Sequence, residues 1–179
     1  EHLGAYDYAR GLERAETFFW AFCDDYLELV KGRRYGDFGS DAAASANSAI
    51  LVALDTLLRL FAPYLPFVTE EVWSWWQTGS IHRSSWPESA PLRALAGPDA
   101  EPGVLDMAAD VLTEIRRAKS EAKGSMRIGV DRVVVTDTPE RLGWLDQAAA
   151  DVRAAGVVDE LFLSKGDTFA VEITLASPE

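Results

Sequence analysis

The side chains most used for acid–base, nucleophilic or metal chemistry are scarce in these 179 residues. The two histidines, His2 and His82, stand far apart, which supplies a histidine metal cluster or a histidine-based triad poorly. The single cysteine, Cys23, lies among aromatic residues, and a buried, unreactive thiol is expected, because low-pKa cysteines need an electropositive, accessible site. Asp24 and Asp25 are neighbours on a helical stretch, so their carboxylates diverge and make a poor general acid–base pair. No glycine-rich loop of dinucleotide or Walker type occurs. No catalytic residue and no metal ligand set is expected in this chain.

Binding chemistry is better supplied. The stretch "FFWAFCDDYLELVKGRRYG" (residues 18–36) carries part of a continuous apolar stripe, made by Tyr8, Leu12, Ala15, Phe19, Phe22, Tyr26 and Leu29 at spacings of three and four. On an ideal wheel of 100° per residue centred at Phe19, Trp20, Asp24, Leu27 and Lys31 fall on one flank at about 80–140°, and Glu28 falls opposite the stripe. An indole, an aliphatic contact, carboxylates and an ammonium on one side suit a splayed RNA base. Such a base is held by apolar packing and by hydrogen bonds to its edge, where a carboxylate can accept from an amino group. Lys31, Arg33 and Arg34 then serve as phosphate contacts. The competing expectation is a neighbouring helix against the apolar flank, with the charges merely solvated.

These residues need elements to hold them. A helix is expected over about residues 6–34, broken by "RRYGDFGSD" with its two glycines. A second helix, capped by Ser40 or Asp41, should run to Phe61 with Ile50, Leu54, Leu57 and Phe61 inward. After Pro63 and Pro66 a new helix is expected from Thr69, ending near Gly79. In it Trp73 and Trp76 share a core face, and Trp75 is the more exposed. "SIHRSSWPESAPLRALAGPDAEPG" reads as a domain boundary, where His82 and Arg83 make local contacts. Beyond it, Val104, Leu105, Ala108, Val111, Leu112, Ile115 and Ala122 mark an amphipathic helix, opposite a charged face with Arg116, Arg117, Lys119, Lys123 and Arg127. Then come a strand "DRVVVTD", a helix with Pro139 in its first turn and a glycine stop, a strand "VDELFLS" and an alternating strand "TFAVEITL". The expected fold is mainly α: an antiparallel helical bundle over 1–96, followed by a small α+β subdomain (α-β-α-β-β) over 104–179.

The totals bound the function class. An apolar content of 48% supports a real core, and no uninterrupted apolar run reaches the roughly 20 residues of a membrane span. No secretory signal opens the chain, and one cysteine suits a reducing compartment, so a cytosolic, cytoplasmic protein is expected. The net charge of −12 opposes a simple nucleic-acid reading, although a local cationic surface can act within an acidic chain. The lack of an initial methionine leads to the expectation of a piece cut from something longer.

The motifs carry a family resemblance. "FFWAFCDDYLELVK" resembles the "W..FCDWYLE..K" helix of valyl-tRNA synthetases, "LLRLFAPYLPFVTEEVW" resembles their proline-broken bundle signature, and "SIHRSSWPE" is similar to the exit from that bundle. The helix "VLTEIRRAKSEAKGSM" is also similar to the one that follows in the family, so the likeness covers nearly the whole chain. It implies the anticodon-binding region of a class I synthetase that joins valine to its tRNA with ATP and magnesium. Catalytic and editing domains would belong to the same polypeptide, with the tRNA anticodon stem-loop as partner and no DNA or membrane. The ATP-binding signatures are absent here, so no cofactor is expected in this piece. By the resemblance Leu27 and Glu28 lie by the anticodon with Lys31 following, while Trp20, Asp24, Arg33 and Arg34 are assigned by position. The charged face with Arg116, Arg117, Lys119 and Lys123 is either a solvated face or a contact with the tRNA anticodon stem. Two departures stand out: Asp25 replaces a frequent tryptophan, and "FAP" replaces leucine-histidine-proline. An isoleucyl-tRNA synthetase piece and a helical protein–protein adaptor without RNA binding remain the alternatives.

Overall fold

The computed structural model describes residues 3–98 and 100–177, so His2 lies outside the described residues. The chain divides into two compact units, Glu1–Asp24 with Ala44–Ala100, and Asp25–Ala43 with Glu101–Glu179. The grouping differs from the expected boundary near residue 96, because residues 25–43 pack with the α+β part.

In the first unit, α1 (Tyr8–Ala21) starts at Asp7, whose carboxylate accepts from the Arg10 amide at 3.3 Å. The first unit also holds most of α4 (Ser40–Phe61), and Phe19 meets Phe61 edge-on at 5.6 Å. Helix α5 (Pro66–Ser74) begins at Pro66 rather than at Thr69, since proline suits the first helical position; Thr69 is buried and its hydroxyl donates to the Leu65 carbonyl at 2.8 Å. Leu58, Ala62, Trp73 and Ile81 form the core with Leu54 and Val72 against them. Trp73 is buried and its ring meets that of Trp76 at 5.7 Å, but Trp76 is 38% exposed and so lies at the rim instead of in the expected core, while Trp75 is 70% exposed. Glu70 accepts from Ser80 Oγ and Ile81 N, which ties the turn Ile81–Arg83 to α5, and His82 Nε2 lies 3.1 Å from the Pro66 carbonyl. The proline-rich segment read as a boundary contains a short helix, α6 (Ser89–Ala96). Among the described residues one helix, α4, is long and apolar enough by length and composition to cross a membrane, a feature that counting uninterrupted apolar runs missed; it contains the Asp55–Arg59 ion pair at 3.0 Å.

The second unit begins inside a π turn, Phe22–Tyr26, and continues through α2 (Leu27–Leu29) and α3 (Lys31–Tyr35). Its α+β part runs α7 (Gly103–Glu121), β1 (Val130–Asp137), α8 (Pro139–Gly156), β2 (Val158–Lys165) and β3 (Ala170–Leu175). The sheet order is β2-β1-β3, with β1 parallel to β2 across α8 and antiparallel to β3. Val133 and Val135 of β1 pack on Met107, Ala108, Val111, Leu112 and Ile115 of α7 and on Leu142, Leu145, Ala148 and Val152 of α8, and Leu29 joins this core. The expected glycine stop is met in part. Gly156 ends α8, where an added Cβ would crowd Ile115 and Val158, but the left-handed residue is Val157 at φ +54°.

Candidate nucleic-acid interface

The candidate segment is a helical run interrupted twice. A π turn takes one residue more per turn than an α turn, so positions beyond Tyr26 are rotated by about 100° from a straight wheel. Val30 then breaks the run at φ −87°, ψ 6°. Helix α3 ends in a Schellman arrangement: the Asp37 amide donates to Gly32 O, the Gly36 amide donates to Arg33 O, and Gly36 sits at φ +92°. Gly32 is buried against Phe38, where a Cβ would lie 3.1 Å from the ring.

This geometry sorts the side chains. Leu29 and Val30 are buried, at 3% and 7% exposure. Leu27 is half-buried, while the Glu28 and Lys31 side chains are 42% and 55% exposed and form an ion pair at 2.5 Å. Neither Leu27 nor Glu28 is sealed beneath a neighbouring element. Arg34 is exposed, with no ion-pair partner among the described residues, and Tyr35 follows at 77% exposure. Lys31, Arg34 and Tyr35 are spaced three and four residues apart within α3 and all three are exposed, while Glu28 precedes the break at Val30. Tyr35 was not among the expected residues, though its place four residues after Lys31 is a usable signal.

Other expected residues fall elsewhere. Trp20, 59% exposed, and Asp24 belong to the first unit, whereas Leu27, Glu28 and Lys31 belong to the second. Arg33 points inward: its Nε and Nη2 donate to the two carboxylate oxygens of Asp151 at 2.6 and 2.5 Å, and this bond raises the Arg33 pKa further. With its fork consumed, Arg33 is not a phosphate contact in this arrangement. The Tyr26 hydroxyl is pushed up by burial and, to a lesser extent, by Asp151, against the opposing pull of Arg33. Asp25, at the position of the missing tryptophan, accepts from Arg116 at 3.1 Å, so an ion pair occupies the place of an aromatic contact. The Cys23 thiol is half-buried and shifted up by burial and by Asp24, which keeps it protonated and weakly nucleophilic.

The charged face of α7 is less uniform than its sequence suggests. Lys119 is 2% exposed and donates to the carbonyls of Met126 at 3.0 Å and Gly156 at 2.8 Å, with its pKa lowered by burial. A buried ammonium with two internal partners is removed from the surface and cannot touch a tRNA stem. Arg117 is exposed and paired with Glu114 and Glu121. Arg116 is engaged by Asp25, and Lys123 is exposed in the turn after α7. Among the described residues, no group of three or more His, Cys, Asp or Glu comes together that could hold a metal ion.

Comparison with known proteins places these features in context. Residues 1–134 match the family described as the anticodon-binding domain of tRNA ligase. The chain is 50% identical to a valine–tRNA ligase of Salinispora tropica over 95% of its length and 21% of that protein. It is 50% identical to the valine–tRNA ligase of Thermobifida fusca (97% of the chain, 20% of that protein) and 48% identical to that of Leifsonia xyli (94% and 19%). The chain therefore spans about a fifth of the length of the curated relatives it matches.

Proposed function

We propose that this chain, which belongs to the family of anticodon-binding domains of tRNA ligases, is the anticodon-reading part of a valine–tRNA ligase. The observation that carries the reading is the outward pairing of a half-buried Leu27 with the exposed Glu28 and Lys31, on a segment whose neighbours Leu29 and Val30 are anchored in a core. An unpaired anticodon base packs on Leu27. Glu28 has its Oε1 on Lys31, and its other oxygen remains to accept from a base amino group. Lys31 and Arg34 approach the neighbouring phosphates, and Tyr35 offers a ring at the edge of the same side. Valine is favoured over isoleucine because the relatives cited are valine–tRNA ligases.

The joining of valine to tRNA belongs, on this reading, to catalytic and editing domains elsewhere in the longer polypeptide. ATP with magnesium supplies the activation chemistry there. The residues of this chain offer that group no phosphate loop, and their part is to bind and orient the tRNA. A cytoplasmic setting accompanies this role.

The test is Glu28→Ala in the full-length ligase. Charging of the matching tRNA should fall while ATP–pyrophosphate exchange, which involves no anticodon contact, holds. A parallel fall in both would place Glu28 in folding instead. An adaptor without an RNA role would show no salt-sensitive tRNA binding and no protection of anticodon-loop nucleotides.

A further inference from the structure

The segment that carries Leu27, Glu28 and Lys31 is poorly equipped to hold its own shape. Leu27–Leu29 is a three-residue helical run between a π turn and the break at Val30, and α3 is five residues long. Helical pieces this short do not persist unless tertiary contacts hold them.

Two long-range ion pairs supply such contacts, one at each end of residues 25–33. At the near end Asp25 accepts from Arg116 of α7 at 3.1 Å. At the far end both carboxylate oxygens of Asp151, in α8, are taken by the Arg33 fork at 2.6 and 2.5 Å. The Asp151 side chain is only 8% exposed. A bidentate guanidinium–carboxylate pair sets orientation as well as distance, which a lysine, as a point charge, does not. Between the two pairs, Leu29 enters the core shared with α7, α8 and β1, and Gly32 lets Ala154 of α8 approach to 3.5 Å of where a Cβ would stand. Part-buried ion pairs of this kind contribute little to net stability, and a bidentate one fixes the orientation of the group that it holds.

We infer that Asp151 and Arg116 are positioning residues for anticodon recognition: acting through Arg33 and Asp25, they hold the short segment that presents Leu27, Glu28 and Lys31. The α+β part is then a clamp on the recognition segment. The inference rests on the reading that Glu28 meets the anticodon.

The experiment is a double-mutant cycle in the full-length ligase, with Asp151→Asn, Glu28→Ala and the pair. Asp151→Asn should raise the KM for tRNA about tenfold with kcat for charging within about twofold, as expected for misplaced binding groups. Glu28→Ala in the Asp151→Asn background should add less than about twofold, because the contact it removes is already lost. Arg33→Lys, which keeps the charge and discards the fork, should reproduce the KM effect with the melting temperature near that of the parent, and it carries the cycle if Asp151→Asn folds poorly. Effects of Asp151 and Glu28 that simply multiply would overturn the inference, as would an Arg33→Lys enzyme with the parent's KM. A Glu28→Ala enzyme that charges tRNA normally would instead defeat the anticodon reading, leaving the clamp a matter of folding.

Discussion

Removal of the Glu28 carboxylate is the perturbation on which the binding argument can be made quantitative. Among the described residues Glu28 is engaged only by Lys31, in an exposed i,i+3 pair, which contributes about 0.2–0.5 kcal/mol to stability. Glu28→Ala should therefore leave folding nearly untouched. Against RNA the balance differs. One hydrogen bond from a base amino group to a carboxylate contributes about 1.5–3 kcal/mol, or roughly ten- to a hundredfold in kcat/KM for tRNA. Loss of Glu28 also frees Lys31, and that cation recovers part of the loss against phosphate, so the lower half of the range is expected. Glu28→Gln keeps a neutral acceptor of about 0.5–1.5 kcal/mol and should sit between alanine and the parent. The assay is aminoacylation at varied tRNA, beside thermal unfolding of the same proteins. A melting point that drops by many degrees, or a glutamine variant worse than alanine, would refute the reasoning.

Three further outcomes follow from the structure. Burial lowers the Lys119 pKa, so the unfolded chain holds more protons than the folded one in the alkaline window that ends at the ordinary value of 10.5, and stability rises with pH across that window. Lys119→Met should abolish that rise, read as the difference between the two proteins in denaturant midpoint against pH; identical pH profiles would show that the ammonium is solvated. Gly103→Ala places a Cβ 2.6 Å from the Trp144 ring and should lower stability by about 1–3 kcal/mol, seen as a lower melting temperature; an unchanged melting point would mean that the ring moves aside freely. If Lys31, Arg34, Lys123 and Arg127 supply the phosphate contacts, each adds about −0.7 for a single strand, so log K against log salt should be no steeper than about −3. A slope near −8 would require cations that the second unit keeps engaged.

Much of this molecule was legible in its sequence. The strands around Val133, Phe162 and Ile173 follow from simple alternation and β-branched runs, and they lie within a residue or two of expectation. Helix α4 ends at Phe61, two residues before Pro63, as expected, but it begins at Ser40 itself, so Ser40 and Asp41 lie in its first turn instead of capping it. What could not be read depends on departures from ideal geometry and on distant partners. The wheel drawn at 100° per residue carries no information about a π turn, so it kept Trp20 and Lys31 on one flank, although the units divide between Asp24 and Asp25. Lys119 looked like one more charge on a solvated face, because nothing local announces that the carbonyls of Met126 and Gly156 will surround it. Arg33 and Asp151 are 118 residues apart, and no pattern along the chain links them. Helix α6 was hidden because prolines and serines mark loops and helix starts alike.

The long-range pairs also bear on how a chain of net charge −12 can meet a polyanion. In the second unit the arginines do two kinds of work, and adjacency in sequence does not decide which. Arg33 and Arg34 are neighbours, yet about 100° of helical rotation turns one fork onto Asp151 and leaves the other in solvent. Asp25 and Asp137 are likewise neutralised by Arg116 and Arg141. The partly buried carboxylates are thus matched before any RNA arrives, and the cations left over stand beside the recognition segment and in the turn after α7. On the proposed reading, phosphate approaches by way of these cations, although the sum over the chain is strongly acidic. On the proposed reading, discrimination between bases is left to Leu27 and Glu28, whose chemistry depends on edge contacts rather than on net charge.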